Sequence, residues 1–110
     1  MKEGDIYMAI FRDSEGREIK KDRPVVIIKN FVGYGLVFVV PISKGEQRFS
    51  EAFNVPILKT PTNGLEEDSV AVTYQGTTLD KEERLIRKLG ELDTESFKLI
   101  KTNLRKQLGL

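Results

Sequence analysis

Residues 36–42, LVFVVPI, carry the strongest β-strand signal in this sequence of 110 residues. Most of these side chains are β-branched or aromatic, and such side chains pack well on the pleated surface of a sheet. Pro41 lacks a backbone N–H, which is tolerated where a strand ends. The segment therefore predicts a strand that stops at about Ile42, and the rest of the fold is assembled around it.

Further strands are predicted on both sides of this segment. Residues 5–12 (DIYMAIFR) are apolar on both faces, which indicates a buried strand or a strand that also faces a partner. Residues 24–29 (PVVIIK) are β-branched, and residues 69–75 (SVAVTYQ) alternate between apolar and polar side chains. A shorter strand is predicted for residues 53–58. Glycine, proline and asparagine separate several of these segments, as expected for turns.

The end of the chain is predicted to be helical. Residues 81–88 (KEERLIRK) fit either two helical turns or one turn that leads into a strand around Ile86. Asp93 is a favourable N-cap for a helix over residues 94–108, and Gly109 is a favourable stop. The predicted buried stripe of this helix consists of Phe97, Ile100, Leu104 and Leu108.

Several short strands followed by one amphipathic helix predict a mainly β fold, a small barrel or curled sheet capped by the helix. The length predicts a single domain over residues 1–110. The N-terminus does not resemble a signal peptide, and no stretch of about 18 apolar residues could cross a membrane. We therefore expect a cytoplasmic protein.

Composition excludes several kinds of chemistry. Lysine and arginine number 18 and aspartate and glutamate 17, so the net charge is +1 and there is no strongly basic tail for nucleic acid. A local basic groove remains possible, since net charge averages over the whole surface. The absence of cysteine and histidine excludes disulfides, a Ser-His-Asp triad and nearly all transition-metal sites. We expect no metal and no cofactor.

Three places carry candidate functional side chains. The basic cluster at residues 20–24 (KKDRP) leads into a strand, and Arg23 there could direct its planar guanidinium at a phosphate. Ser43 and Lys44 follow the strongest strand, where functional loops often begin. Glu18, five residues before Arg23, could share a pocket with it and act as an acid or base. On composition alone, plainer interpretations are favoured: ordinary surface charges for the basic cluster, a plain strand end for Ser43 and Lys44, and a surface ion pair for Glu18.

Five groups of short motifs follow one another along nearly the whole chain, from about residue 4 to residue 109. They are residues 4–7 (GDIY) with 23–28 (RPVVII), 40–43 (VPIS), 64–70 (GLEEDSV), Gln75 with 79–81 (LDK), and 88–92 (KLGEL). In this order and spacing, the set resembles the MazF/PemK family of toxins. The resemblance depends on the ordered set rather than on any one motif.

The resemblance implies an SH3-like small β-barrel with a C-terminal helix, of the MazF/PemK/CcdB-like type and usually a homodimer. It implies the toxin of a type II toxin–antitoxin system, with a cognate antitoxin as its partner. The implied activity is sequence-specific, metal-independent endoribonuclease cleavage of single-stranded RNA such as mRNA. The expected products are a 2′,3′-cyclic phosphate and a 5′-hydroxyl end.

The resemblance also assigns roles to individual residues. Arg23 lies in the Arg-Pro-Val motif and is expected to stabilise charge on the phosphate, with proton donation to the leaving oxygen as a second role. It is not expected to be the base, because a guanidinium stays protonated. Ser43 is expected to donate a hydrogen bond to a phosphoryl oxygen, and Glu18 is the candidate base. The candidate RNA-binding residues are Lys20, Lys21, Lys44, Arg48 and Gln75, with Phe49, Phe53 and Tyr74 as stacking candidates.

The sequence departs from the family pattern at three places. Ser43 stands where the family commonly has threonine, and residues 17–22 (REIKKD) replace the usual Gly-Ser-Glu-Gln-x-Gly stretch. Gln75 is followed by Gly76 and two threonines, without the basic residue that many members carry. Two alternatives therefore stay open: a non-catalytic toxin on the same barrel that binds a protein target such as gyrase, and an SH3-like adaptor or RNA-binding module.

Overall fold

The computed structural model describes residues 1–11, 16, 22–44 and 52–110. Within these residues, the chain forms seven strands and two helices, and the predicted mainly β fold with a C-terminal helix is confirmed. The strands are β1 (Asp5–Ala9), β2 (Arg23–Phe31), β3 (Leu36–Ser43), β4 (Val55–Ile57), β5 (Ser69–Ala71), β6 (Thr77–Asp80) and β7 (Leu85–Glu91). The helices are α1 (Lys81–Arg84) and α2 (Thr94–Leu108). No helix among the described residues is long and apolar enough to span a membrane.

All strand pairs among the described residues are antiparallel, and β3 is the central strand of the sheet. The strand order is β4-β5-β3-β2-β1-β7, and β6 also pairs with β3. The first half of β3 lies between β2 and β6, whereas Ile42 and Ser43 at its end pair with β5. The segment with the strongest strand signal is therefore the strand with the most neighbours.

Strand pairing among the described residues leaves the curled sheet open between β7 and β4. The turn after β4 spans this gap. The Glu91 N–H at the end of β7 donates to the Thr62 carbonyl oxygen in the turn after β4, at 3.0 Å. A Cβ atom on Gly64 would overlap the backbone of β7, and one on Gly90 would overlap the backbone of the turn. These two glycines let the two backbones touch, so the turn joins β7 to the β4–β5 side of the sheet.

The central strands are buried on both faces. The helix-side cluster lies between the sheet and α2, and consists of Ile6, Val26, Val40, Ile42, Val55, Ile57, Leu65, Ala71, Ile100 and Leu104. Alternate residues of the same strands face a second cluster, which consists of Ala9, Phe11, Val25, Ile27, Val37 and Val39. β1 lies between β2 and β7. Ile6 and Ala9 of β1 are fully buried, whereas Tyr7 and Met8 are half-buried, so the predicted strand is confirmed and its second face is covered only in part.

Helix α2 has the predicted bounds. The Asp93 carboxylate accepts a hydrogen bond from the Ser96 N–H at 2.9 Å, and Gly109 ends the helix with a φ of 73°. Ile100 and Leu104 are fully or almost fully buried, and Phe97 is half-buried, but Leu108 is 62% exposed. The buried stripe therefore ends one turn earlier than predicted.

The strand predicted for residues 69–75 is too long. β5 ends early, and Thr73–Gln75 form a 3₁₀ turn. The Thr73 hydroxyl lies 3.0 Å from the Phe53 carbonyl oxygen, and the Gln107 amide donates to the Thr73 carbonyl at 2.9 Å. These contacts with distant segments replace a strand ladder, and the local sequence contains no sign of them.

Other strand boundaries also differ from the predictions. Of the two interpretations of residues 81–88, the single turn that leads into a strand is confirmed. The Asp80 carboxylate caps α1 by accepting two N–H groups at 2.9 Å, and β7 follows. β6 was not predicted, and β4 is shorter than the predicted residues 53–58. β1 ends at Ala9 rather than at residue 12, which lies outside the described residues.

Candidate active site

A pocket of about 490 Å³ opens where the helix-side cluster meets the end of β3. We call it the Arg23 pocket. Its apolar lining includes Met8, Ile42, Leu65 and Leu89. Its charged and hydroxyl-bearing lining includes Asp22, Arg23, Ser43, Lys44, Glu66 and Arg87. An apolar floor with a few polar groups around it is typical of ligand-binding sites.

Arg23 begins β2 and is half-buried in the wall of this pocket. The next residue, Pro24, has a fixed φ angle, and Val25, Val26 and Ile27 behind it are fully buried. The backbone that carries the guanidinium is therefore held by the core. A guanidinium is planar, stays charged and presents several N–H donors, which matches the geometry of a phosphate.

Ser43 and Lys44 approach the same pocket from the end of β3. Ser43 pairs with Val70 of β5 and is only 7% exposed. Lys44 is exposed, and its Nζ lies 3.7 Å from Glu66 and 3.9 Å from Glu67. Exposed ion pairs contribute only about 0–1 kcal/mol. Lys44 can therefore exchange these carboxylates for a phosphate at small cost.

The structure brings together Arg23, Ser43 and Lys44, which the sequence placed at two separate candidate sites. Two strands explain the proximity. β2 and β3 are antiparallel, so the start of β2 and the end of β3 lie at the same end of the pair, with Val25 opposite Pro41. Residues 20 positions apart in sequence thus face one cavity.

Three other predicted contact residues do not line the Arg23 pocket. Gln75 lies in the 3₁₀ turn, where its N–H donates to the Val72 carbonyl at 3.1 Å. Tyr74 is 47% exposed, and Phe53 is 40% exposed with a positive φ of 69°. Their exposed rings are accessible for stacking, but they belong to a different part of the described surface.

Five predicted site residues lie outside the described residues. They are Glu18, Lys20, Lys21, Arg48 and Phe49. Their roles stay predictions.

Several residues of the pocket were not predicted as site residues. Arg87 on β7 lies opposite Met8 of β1, but the pairing shifts so that the next residue, Ala9, faces Leu85. A simple strand alternation therefore does not tell which side chains of β7 share a face. The Asp22 carboxylate accepts a hydrogen bond from the Phe11 N–H at 3.3 Å, which ties the start of β2 to the end of β1.

Chemically, the lining combines three cationic side chains with two hydroxyls, those of Ser43 and Ser69, and two carboxylates. Such a set can bind a phosphodiester and stabilise negative charge that develops on it. The described residues contain no group of three or more acidic side chains placed to share a metal ion.

Comparisons with known proteins identify a toxin family and an endoribonuclease among the relatives of this chain. Residues 2–108 match the family described as "PemK-like, MazF-like toxin of type II toxin-antitoxin system". A protein named Endoribonuclease MazF, from Staphylococcus saprophyticus subsp. saprophyticus, is 34% identical over 113 residues, which span 100% of this chain and 92% of that protein.

Solved structures share the fold. The crystal structure of MazF from Deinococcus radiodurans superposes with a TM-score of 0.87 at 18% identity, over 100% of this chain and 97% of that chain. An endoribonuclease in complex with its cognate antitoxin, from a mycobacterial species, has a TM-score of 0.76 at 22% identity, over 100% and 96% of the two chains. At these identities, the likeness concerns the fold.

Proposed function

This chain belongs to the PemK-like, MazF-like toxin family of type II toxin–antitoxin systems, and we propose that it cleaves single-stranded RNA in the Arg23 pocket. The observation that carries the proposal is the meeting of Arg23, Ser43 and Lys44 around one cavity. The name of the staphylococcal relative, an endoribonuclease 34% identical to this chain, supports the same activity.

The proposed reaction needs neither histidine nor a metal ion, because RNA carries its own nucleophile. The 2′-oxygen attacks the neighbouring phosphorus as its proton is removed, and the bond from phosphorus to the 5′-oxygen breaks. The products are a 2′,3′-cyclic phosphate and a 5′-hydroxyl end. The enzyme aligns these atoms and stabilises the extra negative charge on the phosphate.

Within this scheme, Arg23 stabilises the charge on the phosphoryl oxygens and donates a proton to the leaving 5′-oxygen. A guanidinium remains protonated at neutral pH, so Arg23 does not act as the base. Ser43 donates a hydrogen bond to a phosphoryl oxygen from an almost buried position, where water competes little. Glu18 is the proposed base.

Substrate binding extends beyond the reacting phosphate. Lys44 is proposed to contact a backbone phosphate, since its exposed ion pairs are easily exchanged. The remaining proposed RNA contacts are Lys20, Lys21, Arg48 and Gln75.

The proposal also covers the assembly, the location and the partner of the toxin. Residues 1–110 form one domain, the toxin assembles as a homodimer in the cytoplasm, and a cognate antitoxin restrains it. The solved complex of a mycobacterial endoribonuclease with its cognate antitoxin, on a similar fold, supports the antitoxin as a partner. A homodimer would present each basic loop twice and so build a positive groove from chains of net charge +1.

The test is cleavage of a long, sequence-diverse single-stranded RNA in the presence of EDTA. Wild-type protein is compared with Arg23→Ala and with Arg105→Ala, a control that removes the same charge from exposed α2. We expect discrete fragments with 5′-hydroxyl and cyclic phosphate ends from wild type and the control. Arg23→Ala should be slower by about 100-fold or more, the cost of removing one donor to a developing charge.

Intact RNA in all three reactions, with each protein folded by circular dichroism, would contradict the proposal. That outcome favours the non-catalytic toxin that binds a protein target. One observation already favours this second candidate: no basic side chain occurs at Gly76, Thr77 or Thr78 after Gln75. Cleavage that EDTA abolishes would instead contradict the metal-independent reaction.

A further inference from the structure

We propose that Arg87 is a second phosphate-binding residue of the Arg23 pocket, which holds an RNA phosphate adjacent to the one that is cleaved. This inference rests on the proposed RNA-cleaving function and specifies how the substrate strand crosses the site.

The sheet places Arg87 across the pocket from the start of β2. Pro24 on β2 pairs with Met8 on β1, and Met8 in turn pairs with Arg87 on β7. Neighbouring strands lie about 4.8 Å apart, so the Pro24 and Arg87 backbones are separated by about 10 Å. An RNA strand whose reacting phosphate lies at Arg23 can reach Arg87 by crossing β1.

The floor between these two arginines is apolar. Met8 lies on the strand between them, and Leu89 shares the pocket wall with Arg87 on β7. The aliphatic stem of an arginine packs on such side chains while its guanidinium stays in water. This arrangement suits a nucleoside over the apolar floor with a phosphate on each side.

Arg87 also differs from the neighbouring cations of the same segment. Lys88 lies 3.4 Å from the carboxylates of both Asp5 and Glu91, and the Arg84 guanidinium donates to the Ile10 carbonyl at 3.5 Å. These contacts join β7 and α1 to β1 and to the residue that follows it. Within the described part of the chain, exposed Arg87 has neither a hydrogen bond nor an ion pair from its side chain.

The carboxylates of the pocket have partners among the other described groups. Glu66 lies 3.7 Å from Lys44, and Asp22 accepts the Phe11 N–H. The pocket lining has three cationic side chains and two carboxylates, so the Arg87 guanidinium gives it an excess of positive charge. Its five N–H donors can bind two oxygens of one phosphate.

The test measures binding of an RNA that wild-type protein is known to cleave, made uncleavable by 2′-O-methylation. Affinity is measured from about 50 to 200 mM salt, where the logarithm of the binding constant falls with the logarithm of the salt concentration. The variants are Arg87→Ala, Arg87→Lys and the control Arg105→Ala on exposed α2.

We expect Arg87→Ala to bind about tenfold more weakly at the lowest salt and to reduce the salt slope by about 0.7, the value for one phosphate contact on a single strand. Arg87→Lys should keep the slope, because the charge remains, and Arg105→Ala should keep both affinity and slope. In cleavage assays, Arg87→Ala should raise KM with little change in kcat. This is expected for a residue that binds the substrate and the transition state equally well.

Two outcomes would overturn the inference while leaving the proposed function in place. One is wild-type affinity and slope for Arg87→Ala alongside normal cleavage by the wild type. The other is an equal loss of slope in Arg105→Ala, which would show that total charge rather than this site matters. If the wild type neither binds nor cleaves any RNA, the proposed function fails and the inference fails with it.

Discussion

Three aspartates of the motif segments accept hydrogen bonds from backbone N–H groups, which makes them structural residues. Asp5 is almost fully buried, accepts the Lys2 N–H at 2.9 Å and lies 3.4 Å from the Lys88 Nζ. Asp68 accepts the Lys59 N–H at 2.9 Å, and Asp80 caps α1. Motif residues with these partners stabilise turns and strand junctions, which leaves Arg23 and Ser43 as the motif side chains best placed for chemistry.

Removal of the Ser43 hydroxyl should slow RNA cleavage. Ser43→Ala takes away one hydrogen-bond donor to the phosphate, and we expect a loss of about 100-fold in kcat/KM. Ser43→Thr keeps the hydroxyl and should remain within a few-fold of wild type. Single-turnover cleavage of a short RNA measures both. Full activity of Ser43→Ala beside an inactive Arg23→Ala would exclude Ser43 from the reaction.

At the scale of elements, α2 can be predicted from its own residues, whereas β7 depends on a strand from a distant part of the chain. α2 has a local N-cap, a helical apolar stripe and a glycine stop, and its bounds are the predicted ones. β7 follows a single helical turn and owes its strand form to pairing with β1 over Asp5–Ala9. A helix closes its hydrogen bonds within itself, whereas a strand needs a partner from elsewhere in the chain.

Loss of the Asp93 cap should destabilise the protein in a pH-dependent manner. The backbone hydrogen bond from Ser96 holds the pKa of the Asp93 carboxyl below its ordinary value. The charged cap therefore contributes fully above the pKa of the unfolded chain, about 3.9, and its contribution is lost as the pH falls through the lower folded pKa. Near neutral pH, Asp93→Ala should lower the free energy of unfolding by about 1 kcal/mol.

Urea unfolding of wild type, Asp93→Ala and Asp93→Asn measures this effect near neutral pH and in acid. Asparagine caps helices as well as aspartate but does not titrate, so it is the matched control. The difference between wild type and Asp93→Ala should shrink in acid, while the difference between Asp93→Asn and Asp93→Ala should persist. A constant difference between wild type and Asp93→Ala at all pH values would show that the charge of Asp93 adds nothing to the cap.

At the scale of the whole molecule, backbone contact between distant segments completes the sheet. The turn after β4 touches β7 only because Gly64 and Gly90 lack side chains, and the Glu91 N–H then reaches the Thr62 carbonyl. Leu65 and Leu89, beside these glycines, line the Arg23 pocket. The same contact therefore joins the turn to β7 and shapes one wall of the site.

Gly90→Ala should destabilise the protein because the new methyl group overlaps the backbone of the turn. We expect the free energy of unfolding to fall by about 2–3 kcal/mol, as for other overpacked sites. Arg87→Ala, exposed on the same strand, should change it by less than about 0.5 kcal/mol. Urea unfolding of both variants measures the difference. Equal stability of the two would show that the turn can move away from β7 without cost.

The sequence by itself determined the fold class, the position of β3 and the bounds of α2, and its lack of cysteine and histidine excludes disulfides and a Ser-His-Asp triad. It also indicated Arg23 and Ser43 as candidate site residues, through motifs that lie on or beside strong strands. These features depend on neighbours in sequence: side-chain alternation, caps and turn residues act over a few positions.

Only the tertiary structure decided which of these segments meet. The 3₁₀ turn at Thr73–Gln75 depends on contacts with Gln107, and Arg87 lines the pocket because it pairs with Met8 of β1 in a ladder whose register shifts on both sides of this pair. The contact of Gly64 and Gly90 with opposite backbones is likewise invisible in either segment alone. Register and close approach are set by packing summed over distant parts of the chain, so no local pattern encodes them.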